Sequence, residues 1–193
     1  MIKKIIKFPA PSLRNPCKLV EFPLSDEMKG HLNDLRDTLN STPNGIALAS
    51  NQIAAEGHRV FVVRPTVDWP LVRSMSGESV PEVVVNPVIH QYLPHEIDYS
   101  PTFHRDLYDY KCFVEGCLSV PELNAPNERE YWIEMTYNDE EGYDCVYIAK
   151  GLTARMFQHE VDHLDGKLIY DYADKKVQLA VKQQAIKNRK AGR

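Results

Sequence analysis

The sequence predicts an α+β domain, and three observations carry the prediction. Short β-branched runs bounded by prolines mark the first half, residues 131–149 read as two strands around a turn, and an uninterrupted helical stretch follows at 152–164. A chain of 193 residues suits one compact domain with one core and one main site. Its 43% hydrophobic and 26% charged residues exclude disordered, collagen-like and coiled-coil classes. No stretch approaches the roughly 18 apolar residues of a membrane span. Lys3-Lys4 is followed by no apolar run of signal-peptide length, so export is not expected; a cytoplasmic location is, with an organelle as the alternative should a transit peptide have been trimmed. Four cysteines are too few for a disulfide scaffold and read as thiols or metal ligands.

Taken in order, the first element is a helix at about 25–40. Ser25 or Asp26 caps it, Met28, Leu32, Leu35 and Leu39 form one apolar stripe, and Ser41-Thr42-Pro43-Asn44-Gly45 stops it. Val60–Val63 and Val83–Val85 have the look of buried strands, delimited by Pro65, Pro81 and Pro87. Tyr131–Tyr137 and Tyr143–Ala149 flank Asn138-Asp139-Glu140-Glu141-Gly142 and predict a hairpin with a five-residue loop. Leu152–Leu164 contains neither Pro nor Gly and predicts a helix closed by Asp165-Gly166. A last helix is expected at about 174–189, and 64–82 and 91–112 are connections. There is no internal repeat.

The net charge of −4 is unevenly spread. Residues 171–193 hold seven Lys/Arg against Asp171 and Asp174, a net +5, which leaves 16 basic against 25 acidic residues, or −9, on 1–170. The division suggests an acidic body of 1–170 and a basic helical extension of 171–193. The acidic body speaks against sequence-specific DNA binding.

The strongest local signal is His159-Glu160-Val161-Asp162-His163, an H-E-x-x-H on a predicted helix. Two imidazoles four residues apart share one helical face and can grip one metal, while Glu160 can reach a water bound there. The competing reading is two surface histidines, but Leu152, Met156, Phe157 and Leu164 predict a mostly buried helix, where unpaired polar groups are costly. A catalytic divalent site needs a third protein ligand. Cys117, in Glu115-Gly116-Cys117-Leu118-Ser119, is one candidate, since Gly116 permits close backbone approach. Spacing alone does not choose it over Cys17, Cys112 or Cys145.

Those two segments, with Gly45-Ile46-Ala47-Leu48-Ala49-Ser50-Asn51-Gln52, resemble the three ordered motifs of peptide deformylases, G-x-G-x-A-A-x-Q, E-G-C-L-S and H-E-x-x-H. Phe8-Pro9 through Leu13-Arg14, Asn86-Pro87, Gln158 and Asp162 extend the likeness over most of residues 5–170. The resemblance implies one divalent metal held by Cys117, His159 and His163, natively Fe2+, with Zn2+, Ni2+ or Co2+ as substitutes. It implies a substrate, the formyl group on the N-terminal methionine of nascent polypeptides, and a hydrolysis in which metal-bound hydroxide attacks the formyl carbon with Glu160 as general acid/base. The Gln52 amide and the Leu118 backbone N–H would join the metal in stabilising the oxyanion. Ile46, Ala47, Gly116 and Met156 would contact the substrate, and Glu115, with Arg129 as a candidate partner, would brace the site. A thiolate beside Fe2+ should make activity air-sensitive.

Two departures accompany the likeness. Ala47 stands where the family has its second glycine, and Ser50 where the second alanine is usual; a methyl at Ala47 could narrow the approach of a substrate backbone. The spacing from Asn86 to Glu115 is long, and its segment 90–111 carries Tyr92, Tyr99, Phe103, Tyr108 and Tyr110, expected to form a lid, an extra hairpin or a cover on the sheet edge. The basic tail reads either as a solvated cationic face or as a dock for ribosomal RNA, as in some deformylases. A zinc peptidase, the main rival, takes its third ligand after the helix, and no histidine follows His163.

Overall fold

The computed structural model describes residues 1–64, 82–92 and 113–191. Five strands, β1 (Ala47–Ala49), β2 (Val60–Val63), β3 (Val83–Gln91), β6 (Trp132–Asn138) and β7 (Asp144–Lys150), form an antiparallel sheet in the order β1-β2-β3-β6-β7. β4 (Val114–Gly116) and β5 (Asn124–Pro126) pair separately. Among the described residues three α-helices complete the α+β fold that the sequence predicts: α1 (Asp26–Ser41), α2 (Gly151–Leu164) and α3 (Lys175–Lys190).

Val60–Val63 and Val83–Val85 of the central strands are apolar without interruption because both faces are covered. Val60 and Val62 of β2, with Val83 and Val85 of β3, face Leu32, Leu35 and Leu39 of α1. Phe61, Val63 and Val84 face the other way, towards Ala154, Phe157, Val161 and Leu164 of α2. The predicted stripe of α1 is thus the inward one, and Ser25 Oγ caps it by accepting the Met28 N–H at 3.1 Å. A third cluster, with Leu13, Val120, Leu123 and Leu168, receives Val181 of α3. The last helix is therefore seated on the body.

One boundary differs from expectation. β3 does not stop before Pro87 but runs on to Gln91, because its pairing with β6 shifts register between Val85 and Val88. Asn86 takes φ +50° there, and its side chain bonds both N–H and C=O of Val20 at 2.9 Å. A proline that cannot serve a regular ladder is accommodated at the irregularity. The expectations for 64–82 and 90–111, including a lid or added hairpin, fall almost wholly outside the described residues, as does Cys112. Among the described residues no helix is long and apolar enough to cross a membrane.

Candidate metal centre

α2 follows β7 directly at Gly151, whose φ of +56° lets the chain turn from strand to helix. It closes at Asp165-Gly166: the Gly166 N–H reaches His163 O and the Lys167 N–H reaches Asp162 O, a paired closure that needs a left-handed residue, here Gly166 at φ +75°. Between these ends His159 and His163 lie one turn apart, ring centroids 5.1 Å from each other. Cys117 arrives from the turn after β4. Its Sγ is 3.2 Å from His163 Nε2, and one donor atom from each of Cys117, His159 and His163 lies within 4.8 Å of the others.

Glu115, in the short strand before Cys117, is buried and fixes His159. Its Oε2 lies 3.2 Å from His159 Nδ1, leaving Nε2 for ligation. Arg129 grips the same carboxylate with Nε and Nη2 at 3.0 and 3.1 Å, as the sequence suggested. The sequence reading missed Arg155, whose Nη1 donates to Glu115 Oε1 and to the Asn127 carbonyl, both at 2.6 Å. Nor did it link Asp162 to Arg129, or Tyr172, which donates to Asp162 at 2.9 Å. Two carboxylates and two guanidiniums thus neutralise one another behind His159.

The electrostatics follow from this packing. Burial by itself would raise the Cys117 thiol, but His163 and His159 outweigh it and hold the thiol well below its usual range, as a thiolate ligand requires. Burial likewise opposes ionisation of Glu115, and His159 and Arg129 overcome it. Glu160 is different. Burial pushes its carboxyl above the ordinary range, and among the described residues its Oε2 has no hydrogen-bond partner. A half-buried thiol held below its usual range, two imidazoles and a carboxyl with proton-binding capacity to spare suit a divalent zinc- or iron-type ion with an activated water.

A cavity of about 400 Å³ opens onto this centre. Ile46, Ala47, Gln52, Gly116, Cys117, Leu118, Met156, His159 and Glu160 line it, and so do Leu152, Phe113 and Arg155. His163, 1% exposed, lies behind that lining. Gln52 is locked in orientation: its Oε1 accepts the Ala49 N–H at 2.8 Å, and its Nε2 donates to Ser119 Oγ at 3.0 Å. β1 stands at the sheet edge. The Arg64 N–H binds Ile46 O at 2.8 Å, so Ile46 and Leu48 turn their polar groups to β2 while Ala47 turns its N–H and C=O outward. The Ala47 methyl packs among Phe61 and Val63 beneath α2 and does not lie along that free edge. At Gly116 a Cβ would come within 2.8 Å of Asn124 Oδ1, so a larger residue there would displace that side chain.

Comparison with known proteins gives one answer. The profile of the family described as polypeptide deformylase matches residues 2–178. A peptide deformylase of Dictyoglomus thermophilum is 36% identical over 173 residues, covering 90% of this chain and 94% of the relative. One from Staphylococcus epidermidis is 32% identical over 198 residues, covering 96% and 97%. Among solved structures, a peptide deformylase from Legionella pneumophila superposes with a TM-score of 0.75 at 26% identity, covering 100% of this chain and 98% of the other. A Met-Ala-Ser-bound class I type b peptide deformylase from Acinetobacter baumannii gives 0.67 at 25%, covering 90% and 99%.

Proposed function

The chain belongs to the polypeptide deformylase family, and from that premise we propose that Cys117, His159 and His163 hold one divalent ion, natively Fe2+, at which the formyl group of formyl-methionyl nascent peptides is hydrolysed. The observation that carries the reading is the meeting of three donors from two motifs, 42 positions apart, beside the buried Glu160, whose Oε2 has no hydrogen-bond partner among the described residues. Because the third donor is a cysteine preceding the helix, the geometry favours this reading over a zinc peptidase. When bound, the ion lowers the pKa of water and polarises a carbonyl.

The remaining work falls to the protein. Glu160 takes the proton of the attacking water at its free carboxylate oxygen and passes it to the amine that leaves; a carboxyl raised by burial is matched to that exchange. The Gln52 amide, fixed through Ala49 and Ser119, and the Leu118 backbone N–H supply donors to the developing oxyanion. The outward N–H and C=O of Ala47 offer an extended peptide a strand partner, while Ile46, Gly116 and Met156 border the methionine side chain. That the Acinetobacter relative carries Met-Ala-Ser supports the same class of occupant.

The test is formate release from formyl-Met-Ala-Ser by anaerobically purified, iron-loaded protein. Glu160→Ala should lower the rate by about 10²- to 10⁴-fold without loss of bound metal. Cys117→Ser should lower metal content. A wild-type protein that binds iron yet releases no formate would refute the assignment.

A further inference from the structure

Ser50, one of the departures from the family motif, is fully buried, and its hydroxyl is the meeting point of two histidines. Its Oγ accepts the backbone N–H of His58 at 2.9 Å and lies 2.7 Å from Nε2 of His31. His31 projects from α1, the helix across the sheet from α2, and its ring meets that of His58 edge-on with centroids 5.7 Å apart. A serine whose oxygen already accepts one N–H satisfies its remaining hydrogen by giving it to a neutral imidazole nitrogen. The surroundings keep His31 in that form: burial, His58 and Lys3 disfavour its protonation, against the weaker pull of Asp34 and Glu27.

Ser50 also opens the single 3₁₀ turn Ser50–Gln52 that ends on the proposed oxyanion donor. That turn is held at its far end by the Ile6 N–H on Gln52 O at 2.7 Å and by the side-chain bonds of Gln52 to Ala49 and Ser119. At its near end the hydroxyl of Ser50 ties it to α1 and to the loop before β2. We propose that His31 is a positioning residue for Gln52, anchoring the turn through Ser50 so that the amide stays aimed at the reacting carbonyl. The proposal rests on the reading of Gln52 as an oxyanion donor. Since such a donor acts on the transition state, displacement of the turn should appear in kcat and leave KM in place.

The experiment is steady-state deformylation of formyl-Met-Ala-Ser by iron-loaded protein in the wild-type and Gln52→Ala backgrounds. His31→Ala should lower kcat by about tenfold at unchanged KM, a loss typical of a misplaced catalytic group. Ser50→Ala, which puts the usual motif residue in place but removes the hydroxyl, should give a similar loss, and the double variant no more than either. His31→Gln, whose amide oxygen can take the Ser50 hydrogen, should recover most of the rate. In the Gln52→Ala background His31→Ala should have no further effect. An equal loss in both backgrounds, or wild-type kcat in His31→Ala and Ser50→Ala, would overturn the positioning role. Gln52→Ala at the wild-type rate would overturn the Gln52 assignment itself, and the proposal with it.

Discussion

Glu115 illustrates how the site is supported one side chain at a time. Its carboxylate is buried against Arg129, Arg155 and His159, so removing a cation strands a charge where water cannot reach it. Arg129→Met should therefore destabilise the fold by about 3–5 kcal/mol and reduce metal retention, read by thermal unfolding and metal analysis. Arg129→Lys should rescue little, because one ammonium cannot reproduce the two-pronged contact with Glu115. The Glu115–Arg129 pair could be anticipated from the sequence, but Arg155 could not. The available signal was a cation four residues before His159 on the same helical face, which local pattern alone reads as solvent-facing. Cys17 offers a second test. Burial pushes its thiol up to about 11, against the pull of the Asn51 N–H and Arg59. In the unfolded chain a thiol ionises near 8.5, so above that pH the unfolded state gains a charge that the folded state resists. Stability from this group should be fully present below pH about 8.5 and lost as the pH rises towards 11. Native alkylation at pH 8 should leave the half-buried Cys17 largely unmodified in a peptide mass map, and its ready modification there would contradict the raised thiol.

At the scale of elements, the same substitution should have opposite signs in two helices. Gly30 is exposed within α1 and a Cβ there would meet nothing within 4 Å, so Gly30→Ala should stabilise by about 0.5–1 kcal/mol through helix propensity. Gly166 closes α2 at φ +75°, where a Cβ would come within 2.4 Å of Arg14 O. Gly166→Ala should cost roughly 2 kcal/mol or more and loosen the last turn, which carries His163. Denaturant unfolding of the two variants tests the pair, and equal shifts would contradict the closure described. The helices were legible because their apolar spacing and end signals are local. β1, β4 and β5 were not: each has only three residues, too few for a periodicity, and each exists through a partner distant in sequence or across a turn. The length of β3 was hidden for a related reason. Pro87 signals a strand end, and the strand continues through its shifted pairing with the distant β6, with Asn86 held at the irregularity by Val20, 66 positions away.

For the whole molecule, the charge division between body and tail coincides only partly with the packing. The basic segment was expected as an extension, yet α3 buries Val181 and Ala185, and Asn188 donates to Glu122 at 3.0 Å. Tyr172, past the expected boundary at 170, bonds Asp162 and carries the Arg129 guanidinium 5.2 Å from its ring centroid. Deleting the chain after Ala173 should thus cost roughly 3 kcal/mol from the lost burial, so a truncated protein would confuse weakened folding with weakened docking. The cations themselves are separable from that packing: Lys182, Lys187 and Lys190 are all exposed. Reversing these three to Glu should leave the melting temperature within about 2 °C, as surface substitutions do. Should the tail dock on ribosomal RNA, the triple reversal must weaken co-sedimentation with ribosomes by at least about tenfold at low salt, with a shallower salt dependence, since three phosphate contacts would be lost. Equal sedimentation of wild type and triple variant across the salt series would assign the +5 to a solvated face and leave α3 the task its buried side supports, covering Leu13, Val120 and Leu168.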